Sequence, residues 1–117
     1  VREPGDGMTK KHILNVFGVE DQNVGSSAAR LFARRLGAPT IGPVLDPISG
    51  LDPLEAPASF NQGSAANPIT AGTIQVSALG DDPAHRVFFN DDGVRAQISA
   101  FLASWIATGE PVIIERP

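Results

Sequence analysis

A chain of 117 residues suffices for one domain, and at this size folding buries roughly 60–70% of the surface that the unfolded chain exposes. Its 42% hydrophobic and 19% charged residues are the composition of a folded soluble protein, not of a disordered one. The net charge of −4 comes with no basic stripe to track a phosphate backbone, no apolar run reaches the roughly 20 residues of a membrane span, and the absence of cysteine excludes disulfides, thiolate metal sites and a cysteine nucleophile.

Residues 1–9, rich in glycine, proline and charge, read as an exposed lead-in. The chain starts at Val1 with neither a charged n-region nor an apolar h-region, which suggests a processed or excised piece and leaves the compartment open, a secreted or periplasmic one included. The run 12–17 (HILNVF) is nearly continuous in apolar residues and ends at Gly18, which predicts a strand buried on both faces, as in a parallel sheet. Residues 18–23 form a loop. Ser26 or Ser27 then caps a helix in which Ala28, Leu31, Phe32 and Leu36 share a face, and Gly37 and Pro39 stop it.

From 38 to 71 the prolines and glycines leave no sustained period, so this segment is expected to be a long loop, serving as a lid or a pocket wall. Its Leu45, Ile48, Leu51, Leu54 and Phe60 favour a docked loop over a disordered insertion. Residues 73–79 alternate, with Ile74, Val76 and Ala78 on one face and Thr73, Gln75 and Ser77 on the other, which predicts a half-exposed strand. A loop over 80–90 carries His85. Asn90, Asp91 or Asp92 then caps a helix whose stripe of Val94, Ile98, Phe101, Leu102, Trp105 and Ile106 is expected to face the core. Gly109 ends that helix, and Val112, Ile113 and Ile114 form an apolar tail with no evident partner.

The order strand, helix, long loop, strand, helix is that of an α/β layer protein. Two strands make a poor sheet, and a strand apolar on both faces needs neighbours, so a further segment is expected to complete it. Sites in open α/β sheets form at the carboxyl ends of the strands. Asp21 follows the first strand and His85 the second, so parallel strands would bring an acid and an imidazole to one edge, while His12 at the start of its strand falls at the other edge and reads as structural. A carboxylate that accepts from histidine Nδ1–H fixes the tautomer and stabilises the imidazolium formed when Nε2 takes a proton from a nucleophile. Glu20 is the nearest rival acid. Asp46, Asp52, Asp81 and Asp82 lack a calcium-loop spacing and read as solvated acids, so no metal site is expected. The chain contains no G-x-S-x-G turn to expose a serine.

The run 11–24 (KHILNVFGVEDQNV) resembles the late strand and acid loop of the α/β-hydrolase fold. The runs 82–90 (DPAHRVFFN) and 97–105 (QISAFLASW) resemble the histidine loop and final helix of its lipase- and esterase-like members. The order of acid then histidine is also that of the fold. Gly25 replaces the proline that often follows the acid-loop valine, and Arg86 stands where an aromatic is frequent. The resemblance implies that residues 1–117 are the carboxy-terminal part of one α/β-hydrolase domain, with Asp21 as triad acid, His85 as base and no cofactor. It implies a carboxylic-ester hydrolase whose serine and oxyanion hole come from an amino-terminal segment outside this chain, acting on a small-molecule ester. Two alternatives are a non-enzymatic binding module that uses the proline-rich loop as its contact surface and a dehalogenase- or lyase-like enzyme of the same fold.

Overall fold

The structure, a computed structural model, describes residues 11–21, 23–77 and 84–117. The lead-in over 1–9, the end of the strand expected at 73–79, the acids Asp81 and Asp82, and the first part of the histidine loop lie outside the described residues.

Strand β1 spans Ile13–Gly18 and helix α1 Ser26–Leu36. Two short strands, β2 (Gln62–Ser64) and β3 (Asn67–Ile69), form an antiparallel hairpin, and β4 spans Ala71–Val76. A 3-10 turn over Ala84–Arg86 leads into the one-turn helix α2 (Val87–Asn90) and then the long helix α3 (Asp92–Thr108). Together they make a mixed α/β domain with a small parallel sheet and helices around it. Among the described residues no helix is long and apolar enough to cross a membrane.

β1 and β4 pair in parallel, from Ile13 opposite Ala71 to Gly18 opposite Val76. Parallel pairing places both carboxyl ends at one edge, where the loops carrying Asp21 and His85 begin. Even-numbered side chains of the sheet, Leu14, Val16, Ile74 and Val76, pack with Val94, Ile98 and Phe101 of α3 to form the main core, joined by Ile41, Ala58 and Ile113. On the opposite face lie Asn15, Thr73 and Gln75, met by the segment that follows α1. β4 is also flanked by Thr40, with Ile41 N–H donating to the Thr73 carbonyl and Thr73 N–H to that of Pro39. β1 has no such second neighbour among the described residues. Ile13 and Val19 donate to Thr70 and Val76, so the odd-numbered residues bond to β4 and Leu14 and Val16 turn their backbone groups to the open edge.

Several expectations need correction. β4 is buried on both faces instead of half-exposed, because Thr73 and Gln75 satisfy their polar groups internally. The Thr73 hydroxyl donates to the Ala38 carbonyl at 3.0 Å, and the Gln75 amide accepts from Leu45 and Asp46 N–H and donates to the Asp46 carbonyl. The 38–71 segment is not structureless: it holds the β2–β3 hairpin and buries Ala38, Thr40, Ile41, Ile48 and Ile69. In α1 the buried position is Ala33, whereas Leu31 and Phe32 are more than half exposed. The stripe of α3 is buried only in part, since Val94, Gln97 and Phe101 face the core while Leu102, Trp105 and Ile106 are exposed, Ile106 at 84%. The apolar tail finds its partner in the loop, where Ile113 and Ala58 exchange two backbone hydrogen bonds of 2.9 Å.

The helix ends follow local rules. Gly37 (φ 66°) and Gly109 (φ 75°) close α1 and α3 in the left-handed region, where a side chain is disfavoured. Of the three candidate caps for α3, Asp91 does the work: its Oδ1 accepts from Val94 N–H at 2.9 Å, and its Oδ2 pairs with Arg116 near the carboxyl terminus. Neither Ser26 nor Ser27 caps α1: the N-cap position is Gly25, which has no side chain, and the Ser26 hydroxyl donates to the Val19 carbonyl at 2.6 Å.

Candidate active site

The loop after β1 is shaped by its own polar groups. Val19 N–H extends the ladder to Val76, Asp21 N–H folds back to the Gly18 carbonyl at 3.2 Å, and Ser26 ties the start of α1 to Val19. Within this turn Asp21 Oδ1 accepts from the backbone N–H groups of Asn23 (2.7 Å) and Val24 (3.0 Å). Two fixed donors on one oxygen set the carboxylate plane and leave Oδ2 to point out of the turn.

His85 sits in the 3-10 turn before α2, with Nδ1 at 2.9 Å from Asp21 Oδ2. Partial burial of the Asp21 carboxyl works against its charged form. The backbone N–H of Val24, the His85 ring and the N–H of Asn23 outweigh that, and together they hold its pKa below the ordinary value. An ionised carboxylate only accepts hydrogen bonds, so Nδ1 carries the hydrogen, and in the neutral ring Nε2 presents a lone pair. The Asp21 side chain is 10% exposed and that of His85 51%. The acid is thus sheltered and the imidazole opens outward, with no hydrogen-bond partner for Nε2 among the described residues.

The turn that carries His85 is held close to the strand. A Cβ built on Gly18 would lie 2.2 Å from the Ala84 carbonyl oxygen, so the two segments meet only because residue 18 has no side chain. Asp21 and His85 themselves line a cavity of about 130 Å³, whose apolar side is formed by Val16, Phe17, Val24, Ala29, Val87 and Phe88. Among the described residues no serine, threonine or cysteine lines it.

No family model, curated protein or solved structure matches this chain. The chemistry of the site therefore follows from its own atoms.

The two residues singled out in the sequence, Asp21 and His85, are brought together. Glu20 is exposed next to the turn and takes no part in the pairing. His12 lies at the opposite end of β1, where its Nδ1 accepts from Thr70 N–H at 3.0 Å and its ring packs against Phe60 and Trp105. Burial lowers its pKa, as suits a neutral, accepting imidazole. Asp46 is engaged by Arg30, Asp52 is exposed, and among the described residues no group of histidine and acidic side chains is placed to hold a metal ion. Sequence reasoning missed the Gly18 contact, the Ser26 tie and the apolar cavity. Gly18 was visible as a strand terminator, but a close approach to a residue so distant in the chain leaves no local signal.

Proposed function

We propose that this chain is the carboxy-terminal part of an α/β-hydrolase-fold enzyme, an esterase- or lipase-like carboxylic-ester hydrolase that contributes Asp21 and His85 to a triad whose serine lies on another segment. The observation that carries this reading is the Asp21–His85 hydrogen bond, with its carboxylate locked from behind by two backbone N–H groups and its Nε2 facing outward. In such a triad the serine hydroxyl would attack the ester carbonyl while Nε2 takes its proton. Asp21 would stabilise the resulting imidazolium, and His85 would return the proton to the leaving alcohol.

Two further features support a nucleophile-bearing partner. The β1 edge offers backbone groups that no other strand among the described residues pairs, and its Leu14 and Val16 are only half-buried although both faces of a parallel strand are normally covered. The cavity at the carboxyl end of β1 is about 130 Å³, below the roughly 300–1,000 Å³ of pockets that enclose a ligand. A turn from the partner would complete it, with backbone N–H groups there forming the oxyanion hole.

The test is made on the protein assembled with the nucleophile-bearing segment. It should hydrolyse a short-chain alkyl ester and be labelled on serine by a fluorophosphonate, and His85→Ala should reduce turnover by about 10³-fold or more. Undiminished turnover in His85→Ala ends the proposal.

A further inference from the structure

We infer that His85 is itself a nucleophilic catalyst for activated aryl esters, with the adjoining apolar cavity receiving the ring or short acyl group of the substrate. This activity needs no serine and does not rest on the ester-hydrolase reading.

Three observations lead to it. The first is the orientation of the imidazole: Nδ1–H is donated to Asp21 Oδ2 at 2.9 Å, so the lone pair of the neutral ring is confined to Nε2, and the half-exposed ring offers that atom to a reactant. The second is the cavity, whose apolar wall of Val16, Phe17, Val24, Ala29, Val87 and Phe88 begins at the ring itself. At about 130 Å³ it is close in size to the roughly 150 Å³ apolar cavity that takes up benzene. The third is that among the described residues no hydroxyl or thiol side chain lines that wall, where the imidazole is the nucleophile next to a bound ester.

The chemistry balances without another catalyst. Nε2 forms a bond to the ester carbonyl carbon, and the carbonyl–oxygen bond to the aryl group breaks. The phenolate leaves with the electron pair and needs no proton. The acyl-imidazolium that remains is stabilised by the Asp21 carboxylate through Nδ1–H. Water then adds to the acyl carbon and gives one proton to solvent, the carbon–nitrogen bond breaks with its electron pair returning to Nε2, and the carboxylic acid departs with the second hydrogen of the water, which leaves the ring neutral. An alkyl ester fails at the first step, since an alkoxide is a poor leaving group and no acid stands by to protonate it. The two proposals are thereby separable: this one is tested on aryl esters with the chain alone, and the other on alkyl esters and fluorophosphonates with the assembled protein.

The experiment follows release of 4-nitrophenolate from 4-nitrophenyl acetate by the 117-residue chain, with 4-methylimidazole at equal concentration as reference. The chain should react at least about tenfold faster, because binding and a fixed ring orientation replace a random encounter. An acetyl group should be trapped on His85 by rapid quench and mass spectrometry. His85→Ala should fall to the uncatalysed rate and Asp21→Asn well below the parent. His12→Gln should keep the rate, which controls for the other imidazole. Phe88→Ala, which leaves the Asp21–His85 pair in place, should raise KM more than it lowers kcat. A parent rate equal to that of 4-methylimidazole, an unchanged rate in His85→Ala with its circular dichroism intact, or turnover with no acetyl adduct and a solvent deuterium isotope effect of general-base size would each overturn the inference.

Discussion

Gly18 shows how one absent methyl group sets the geometry of the site. Its ideal Cβ would fall 2.2 Å from the Ala84 oxygen and 3.1 Å from the Ala84 Cβ, and the contact is with backbone, which cannot swing aside as a long side chain can. Gly18→Ala should therefore push the 3-10 turn off the strand, lengthen the Asp21–His85 hydrogen bond and cost about 1–3 kcal/mol of stability, the usual range for an overpacked contact. Urea unfolding reads the stability, and the ¹⁵N shifts of the His85 ring read the hydrogen bond. An unchanged Nδ1 signal would mean that the turn is not held by this contact. The pair itself was legible in the sequence because it needs only two loops that follow parallel strands. What holds it was not, since the Gly18 contact and the Ser26 tie are relations between segments that carry no local pattern.

At the level of elements, periodicity located β1, β4, α1 and α3, missed β2, β3 and α2 in segments read as loops, and misjudged what each face meets. α3 was placed by its stripe and its cap, yet the stripe is wider than the sheet beneath it, so Val94 and Phe101 reach the core and Leu102 and Ile106 do not. β4 was misread in the other direction. Its polar alternation suggested solvent, whereas Thr73 and Gln75 lie under the segment that leaves α1 and bond to it. A short side chain with a hydroxyl looks the same in a sequence whether water or a buried carbonyl accepts from it. The Thr73 hydroxyl donates to the Ala38 carbonyl and accepts from the Asn15 amide, and both Thr73 and Ala38 are fully buried. Thr73→Val keeps the shape and removes both bonds. It should destabilise the chain by about 1–3 kcal/mol, the cost of leaving a buried polar group unpaired, with no change in the denaturant m-value. Thr73→Ser should restore most of the loss, and a neutral Thr73→Val would show that solvent reaches the Ala38 carbonyl.

Across the whole molecule, the two histidines stand at opposite ends of one strand and tie different parts of the fold to it. His12 joins the start of β1 to Thr70, and His85 joins its end to the turn before α2. Acid should therefore loosen the two ends in different pH windows. Burial depresses the His12 pKa below its ordinary 6.5, so on acidification the unfolded chain takes up this proton before the folded chain does. The stability it confers is whole above the unfolded value and is lost as pH falls from near 6.5 through the folded value. Asp21, also depressed on folding, from 3.8, acts later: its contribution is intact above 3.8 and is lost as pH falls through its lower folded value. Urea midpoints measured from neutral pH down to the acid limit should show both declines, subject to the same sign. His12→Gln should flatten the upper one and Asp21→Asn the lower, whatever each variant does to stability at neutral pH. An upper decline of equal slope in His12→Gln would mean that the Thr70 N–H does not depend on a neutral ring, and that the amino-terminal end of β1 is held by Phe60, Trp105 and the ladder to β4 alone.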